Sequence, residues 1–343
     1  MDYLSESTHL LYAQLLTQCL DGSAPSGRGL SFVRKQIQGA THWYLQLTVG
    51  SAKTQHYLGP DSAGLRQVIE QEKSLWEKSR PNLAERQKLV AMLISGGAHT
   101  VSASEARLFE ILERAGVFLV GGVLVGSHAF GVYGNMLGVK WDSATTRTQD
   151  VDIAHDLKLE LGLKDKAVNL RQVLIDSEMG FIEVPALNRK APSTRFHIRG
   201  KQLSVDILTP MFGKTTSTPI HLSVLDTYAE PVRFLDFLLE DIQSAIIVAK
   251  AGILVNVPAP ARYALHKLVI SQRRTAHLQT KKLKDISQAE QLLKVLLADR
   301  PGDLLLAWEA TDKQPKKFRE QLLGGMRNMS PDVLAAFEDL INA

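Results

Sequence analysis

The spacing of apolar residues changes period several times along the chain, and each change marks a different element. Leu10, Leu11, Leu15, Leu16 and Leu20 recur at helical intervals, which predicts a short amphipathic helix within residues 1–20. Past the Gly/Ser/Pro loop GSAPSGRG the period shortens to that of strands. Runs at 32–37, 43–49 and 55–58, separated by glycine-containing turns, predict a three-stranded antiparallel meander. Residues 62–97 return to helix, read as two helices broken at Pro81, because an interior proline removes a backbone donor. The segment SASEARLFEILERAG has Ser102 or Ser104 as a cap, acid in its first turn and Gly116 at its end, so it predicts a helix through Arg114.

The run VFLVGGVLV that follows is apolar throughout and reads as one buried strand. A helix over His128–Leu137 and a strand DVDIA come next. The segment STRFHIRGKQLSVDILTP predicts a hairpin, 195–198 and 203–208 around Gly200, and AIIVAKAGILVNVP predicts a second. Pro260 is placed to start the helix ARYALHKLVISQRR, and helices occupy the remainder. The class is therefore α/β (α+β), a mixed sheet flanked by helices, with the small meander before it and a helical region after it. Four units are expected: 1–61, the N-terminal helix and meander; 62–115, a helical linker; 116–258, the core; and 259–343, a C-terminal helical domain.

Composition narrows the setting. A 45% hydrophobic and 22% charged chain of 343 residues is ordinary for a folded protein. The single cysteine, Cys19, excludes an internal disulfide framework and a thiolate metal site, and fits a reducing cytoplasm. The N-terminus lacks a basic segment followed by a clean apolar one, and the longest apolar run, GVFLVGGVLVG, is about half a membrane span. Net charge of +4 with pI near 9.0 permits a polyanionic partner. It becomes more specific locally: from Gly22 to Pro60 there is no Asp or Glu, while Arg28, Arg34, Lys35 and Lys53 are interleaved with Phe32, Trp43, Tyr44 and Tyr57. Cations among aromatics suit a nucleic-acid backbone and its bases; packing of the same rings on a helix is the alternative.

Three aspartates lie on apolar strands: Asp150 and Asp152 in DVDIA, and Asp206 in LSVDIL. Residues i and i+2 of a strand share a face, so Asp150 and Asp152 must be neighbours. Two unpaired buried carboxylates repel, and a divalent cation with hard oxygen ligands removes the conflict. A third carboxylate, Asp206, allows two ions about 4 Å apart or less, as in phosphoryl transfer. Gly126 and Ser127 close the apolar run where a helix begins, so backbone N–H groups and a hydroxyl would face an anion such as a triphosphate.

The order strand, Gly-Ser, helix, D-x-D strand, then a strand with one more Asp resembles the polymerase-β-like nucleotidyltransferases. The chain is most similar to the bacterial GSU-type group denoted NTP_transf_8, through GSHAFGVYGNMLGVKW, TQDVDIA and VPAPARYALHKLVISQRR. That resemblance implies a minimal nucleotidyltransferase fold over 116–258, with Gly126 and Ser127 gripping the triphosphate of an NTP such as ATP. It also implies that Asp150, Asp152 and Asp206 hold Mg²⁺ or Mn²⁺, two ions in all, and that Lys267 contacts phosphate. The 22 residues between Ser127 and Asp150 exceed the superfamily's common spacing, so an inserted loop carrying Lys140 and Arg147 is expected beside the site. The rival pair Gly121-Gly122 ranks second because more strand follows it. His128 and His266 lack a second ligand at metal spacing and read as structural.

The expected reaction is NTP + acceptor → NMP-acceptor + pyrophosphate, with an acceptor hydroxyl attacking the α-phosphate and Asp206 deprotonating or orienting it. RNA, a tRNA 3′ end in particular, is the expected acceptor, held by Arg34, Lys35, Trp43, Tyr44 and a basic helix over 262–284. A protein or small-molecule acceptor, and a nonenzymatic nucleic-acid binder on the same scaffold, are the alternatives. Toxin–antitoxin and phage-defence roles, with a protein partner, enter only by fold-level analogy.

Overall fold

The computed structural model describes residues 2–21, 30–37, 39–49, 52–142, 145, 149–158, 168–185, 191–214, 216–275 and 278–342. The chain opens with β1 (Asp2–Tyr3) and α1 (Glu6–Asp21). The buried stripe of α1 is Thr8, Tyr12, Leu15 and Cys19; of the leucine series expected from spacing Leu15 is buried and Leu11 and Leu16 pack partly against the core, whereas Leu10 is 71% exposed. β2 (Leu30–Ile37), β3 (Ala40–Val49) and β4 (Ala52–Pro60) form the expected antiparallel meander. α2 (Ala63–Ser95) starts at Ser62, whose hydroxyl accepts from the Leu65 N–H, and runs uninterrupted through Pro81. The expected break is thus absent: a proline deletes one ladder bond, and the apolar face buried farther along, Leu89, Val90 and Leu93, keeps the helix in place.

α3 (Ala103–Arg114) carries the predicted cap, with Ser102 and Glu105 forming a reciprocal capping box. The single long strand expected over 117–125 is replaced by turns and a three-residue β5 (Val123–Val125). The glycines cause this: Gly121 adopts φ +92°, and a Cβ at Gly122 would lie 2.7 Å from the Val117 carbonyl oxygen. Gly121-Gly122, the rival pair, is therefore used in a tight turn.

α4 (Gly126–Leu137) follows directly, and Gly138 at φ +68° ends it. β6 (Val139–Lys140) pairs with β1, carrying Lys140 against Gly97. Arg147 lies outside the described residues. Then come β7 (Asp150–Ala154), α5 (Leu170–Asp176), β8 (Phe181–Glu183), β9 (Arg195–Ile198) and β10 (Ser204–Pro210). β11 (Ile220–Leu222), β12 (Thr227–Val232) and the short α6 (Leu235–Leu239) precede the second predicted hairpin, β13 (Ile242–Ile247) and β14 (Ile253–Pro258). The expected continuous basic helix over 262–284 is two helices, α7 (Pro260–Ser271) and α8 (Gln279–Asp299). Polar residues from Gln272 onward offer no apolar face to continue α7. α9 (Pro301–Ala310), α10 (Lys316–Met326) and α11 (Pro331–Asn342) complete the chain.

The main sheet is mixed, in the order β11-β12-β10-β7-β5, with β9 on β10 and β8 on β9. β7 and β12 run parallel to β10, whereas β5 runs antiparallel to β7. This is the expected α+β class. One apolar cluster runs from Leu108 to Phe337, so the sheet and the C-terminal helices share a core. Phe109, Phe130, Tyr133 and Tyr263 are fully buried in it, each stabilising by about 1.5–3 kcal/mol relative to exposure. That core makes the face of the paired interior strands β7 and β10 a rigid platform.

Candidate functional site

Parallel pairing of β7 with β10 places Asp206 in register with Asp152, and Ser204 with Asp150. Directly paired residues share a face, so all three aspartates converge on one side of the sheet. The short β5 lies on the other edge of β7, with Val125 opposite Asp152, and the chain turns there into α4. Gly126 makes the turn at φ +67°, and a Cβ on it would stand 2.1 Å from Asp152 Oδ2. The hydroxyl of Tyr263 donates to the Gly126 carbonyl at 2.8 Å, fixing this turn from α7. No side chain caps the N-terminus of α4. Its first N–H groups therefore keep their donor capacity beside the carboxylates. Ser127 Oγ sits 3.4 Å from Gln288 Nε2, which also donates to the Thr145 carbonyl.

The electrostatics are those of carboxylates whose burial outweighs the positive charge around them. Burial pushes Asp152 up to about 6, with the Asp150 charge adding to it, against downward pulls from Lys267, His128 and Lys281. Burial likewise pushes Asp206 up to about 7; Arg195 opposes the rise, and Asp152 and Asp150 reinforce it. Arg195 is the resident counter-ion. One nitrogen donates to Asp150 Oδ1 at 2.9 Å and to Ser204 Oγ at 2.8 Å, while Nε lies 3.3 Å from Asp206 Oδ1. The Ser204 hydroxyl donates to Asp150 Oδ1 at 2.6 Å.

Among the described residues no three His, Cys, Asp or Glu side chains stand ready as a metal-ligand cluster. The guanidinium of Arg195 occupies that place between Asp150 and Asp206. The donor set itself fits a hard cation: adjacent in-register carboxylates whose protons are held by mutual repulsion and burial.

Lys267, the expected phosphate contact, is held in an ion pair. Its Nζ donates to Asp285 Oδ1 at 2.7 Å, and Arg274 Nε donates to Asp285 Oδ2 at 2.9 Å. Burial alone would push the Asp285 carboxyl up, yet Lys267 and Arg274 together hold it below its usual range. Lys267 nevertheless remains close enough to lower Asp152. The other cations of 262–284 are dispersed: Arg262 donates to Glu240 and the Phe237 carbonyl, and Arg273 lies over the Phe234 ring.

Several residues of the site were not read from sequence. His128 bridges, its Nδ1 being 3.2 Å from the Asp150 carbonyl and its Nε2 3.1 Å from Glu105 Oε1. Burial raises Glu105, but bonds from His128 and Ser102 outweigh it and bring the carboxyl down to about 2. Arg195 had a legible signal: the Gly200 hairpin sets it opposite Asp206. Gln288 and Tyr263 had none, since only the packing of α7 and α8 brings them to Gly126 and Ser127.

No curated protein and no solved structure gives a match to the chain. A family model described as nucleotidyltransferase, NTP_transf_8, matches residues 104–312, which contain every element of the site just described. Because that match spans more than half of the 343 residues, the chain belongs to the NTP_transf_8 nucleotidyltransferase family.

Proposed function

We propose that the protein moves a nucleoside monophosphate from an NTP to an acceptor hydroxyl, releasing pyrophosphate, and that Asp150, Asp152 and Asp206 are its catalytic carboxylates. The observation carrying this reading is the in-register pair Asp152–Asp206 set against the uncapped start of α4. Gly126 and Ser127 would receive the triphosphate at that helix start, where free N–H groups and the positive end of the helix dipole favour anions. Lys267, whose charge already reaches Asp152, would add positive charge for the phosphates.

Asp150, Asp152 and Asp206 would hold Mg²⁺ or Mn²⁺, which when bound neutralises phosphate charge and polarises the α-phosphorus. Asp206 would take the proton of the attacking hydroxyl; the new P–O bond forms as the bond to the β-phosphate oxygen breaks, and pyrophosphate leaves. Arg195 must release Asp150 and Asp206 for this, which frees its guanidinium for phosphate. RNA is the acceptor that best suits a chain of net charge +4 with an acid-free N-terminal sheet. The cytoplasm is the setting proposed; no helix among the described residues is long and apolar enough to cross a membrane.

Incubation of the full chain with Mg²⁺, each α-labelled NTP and total RNA tests the reading. Label should enter RNA with wild type and not with Asp150→Ala or Asp152→Ala. Absence of transfer to RNA, protein or small acceptors under either metal, with RNA binding retained, would establish the nonenzymatic binder instead.

A further inference from the structure

The N-terminal sheet has two unlike faces, and its pairing register sorts the residues between them. Phe32, Arg34 and Trp43 share one face, since Arg34 pairs with Trp43 and alternation brings Phe32 to the same side. That face is turned to α2 and the segment before it. Phe32 stacks on Trp76 at 4.9 Å between ring centroids, and Trp43 is buried with its Nε1 donating to Asp61 at 2.8 Å.

Lys35, His42, Tyr44 and Tyr57 share the opposite face, through the pairs Lys35–His42 and Tyr44–Tyr57. There the rings form a cluster: Tyr44 and Tyr57 are 5.4 Å apart, His42 and Tyr57 are 5.8 Å apart, and Lys35 Nζ lies 4.8 Å from the Tyr44 centroid. Every ring and hydrogen-bond partner of these four, among the described residues, belongs to the sheet itself. Tyr57 is 56% exposed, and Ile37 beside the cluster is 43% exposed. Such rings on a sheet normally seek cover, and no acid lies between Gly22 and Pro60 to repel an anion.

We propose that the face made by Lys35, His42, Tyr44 and Tyr57 binds single-stranded nucleic acid, the rings stacking on unpaired bases while Lys35 neutralises phosphate. Duplex bases are already stacked on each other and offer these rings no faces, so the fit is to a single strand. That the bound strand is also the acceptor rests on the transferase reading; that it binds does not. Arg34 and Trp43, grouped with Lys35 and Tyr44 by sequence, lie on the other face, where the exposed Arg34 sits over the buried Trp43 ring, and are no part of this surface.

Fluorescence anisotropy with a labelled single-stranded RNA of about 12 nucleotides, using the full chain, tests this. Tyr57→Ala should weaken binding about tenfold, whereas Tyr57→Phe, which keeps the ring, should bind as wild type. Lys35→Ala should lower the slope of log affinity against log salt by about one. Unchanged emission from Trp43 and Trp76 confirms that the sheet is intact. The Asp150→Ala, Asp152→Ala double variant should bind as wild type, so loss of transferase activity and loss of this surface are read separately. Wild-type affinity in Tyr57→Ala, or equal affinity for a duplex of the same sequence, would overturn the proposal.

Discussion

Gly126 and Asp152 are mutually dependent: the carboxylate of Asp152 occupies the volume that any side chain at 126 would need, with Oδ2 2.1 Å from an ideal Cβ. Gly126→Ala must also adopt φ +67°, at a cost of about 1–2 kcal/mol before any clash is counted. The variant should lose nucleotide transfer and melt several degrees early. Adding Asp152→Ala should recover part of the stability and none of the activity. A double variant no more stable than Gly126→Ala would show that the contact is not the cause.

The raised carboxylates give the metal-free protein a definite pH response. Asp206 near 7 and Asp152 near 6, against an ordinary 3.8, bind protons more tightly folded than unfolded. Their stabilising contribution is therefore full below about pH 4 and is lost as pH rises through 6 and 7. Mg²⁺ should restore it, so the gain in melting temperature on adding metal should be larger at pH 8 than at pH 5.5. Asp206→Asn should raise metal-free stability at pH 8 and remove most of that gain. Equal gains at both pH values would refute the assignment of Asp206 as a ligand.

Much of this arrangement is legible in the sequence. The i, i+2 spacing of Asp150 and Asp152 and the Gly200 hairpin carrying Asp206 are local patterns, whereas the parallel register that unites them is set by the pairing of β7 with β10 and has no local signal. What failed was also local in cause: hydrophobicity alone cannot reveal that Gly121 and Gly122 turn the chain, or that α2 absorbs Pro81. The pairing of Lys267 with Asp285 was hidden for another reason. It depends on how α7 and α8 pack, and a cation count over 262–284 carries no such information.

Arg195 holds Asp150 and Asp206 in the place a cation would take. Its replacement by Met should strengthen Mn²⁺ binding severalfold in the absence of nucleotide, as measured by electron paramagnetic resonance, because a competitor has been removed. NTP affinity should fall in the same variant. Weaker Mn²⁺ binding would mean that Arg195 orders the carboxylates rather than competing for them.

The Asp285 carboxylate is almost completely buried, with Lys267 and Arg274 as its partners. Removing it leaves two cations unpaired, so Asp285→Ala should cost about 3–5 kcal/mol in urea unfolding. Lys267→Met leaves Arg274 in place and should cost less, about 1.5–3 kcal/mol, while raising KM for NTP. Stability equal to wild type in Lys267→Met would show that the pair contributes nothing to the fold and that the lysine serves the nucleotide alone.

His266 is buried, and its Nε2 has no hydrogen-bond partner among the described residues. Burial, with the neighbouring Lys267 charge, brings it down to about 3 from the usual 6.5. A depressed histidine contributes stability that is complete above 6.5 and is lost as pH falls toward 3, because the unfolded chain takes up the proton first. The loss amounts to about 1.4 kcal/mol per pH unit across that window. His266→Leu keeps the apolar packing and removes the titration, so on going from pH 7 to pH 4.5 its urea midpoint should fall less, or rise more, than that of wild type. If the two proteins lose the same stability over that interval, His266 is not held neutral by the fold. The acid sensitivity would then arise at the other histidine that burial depresses, His99.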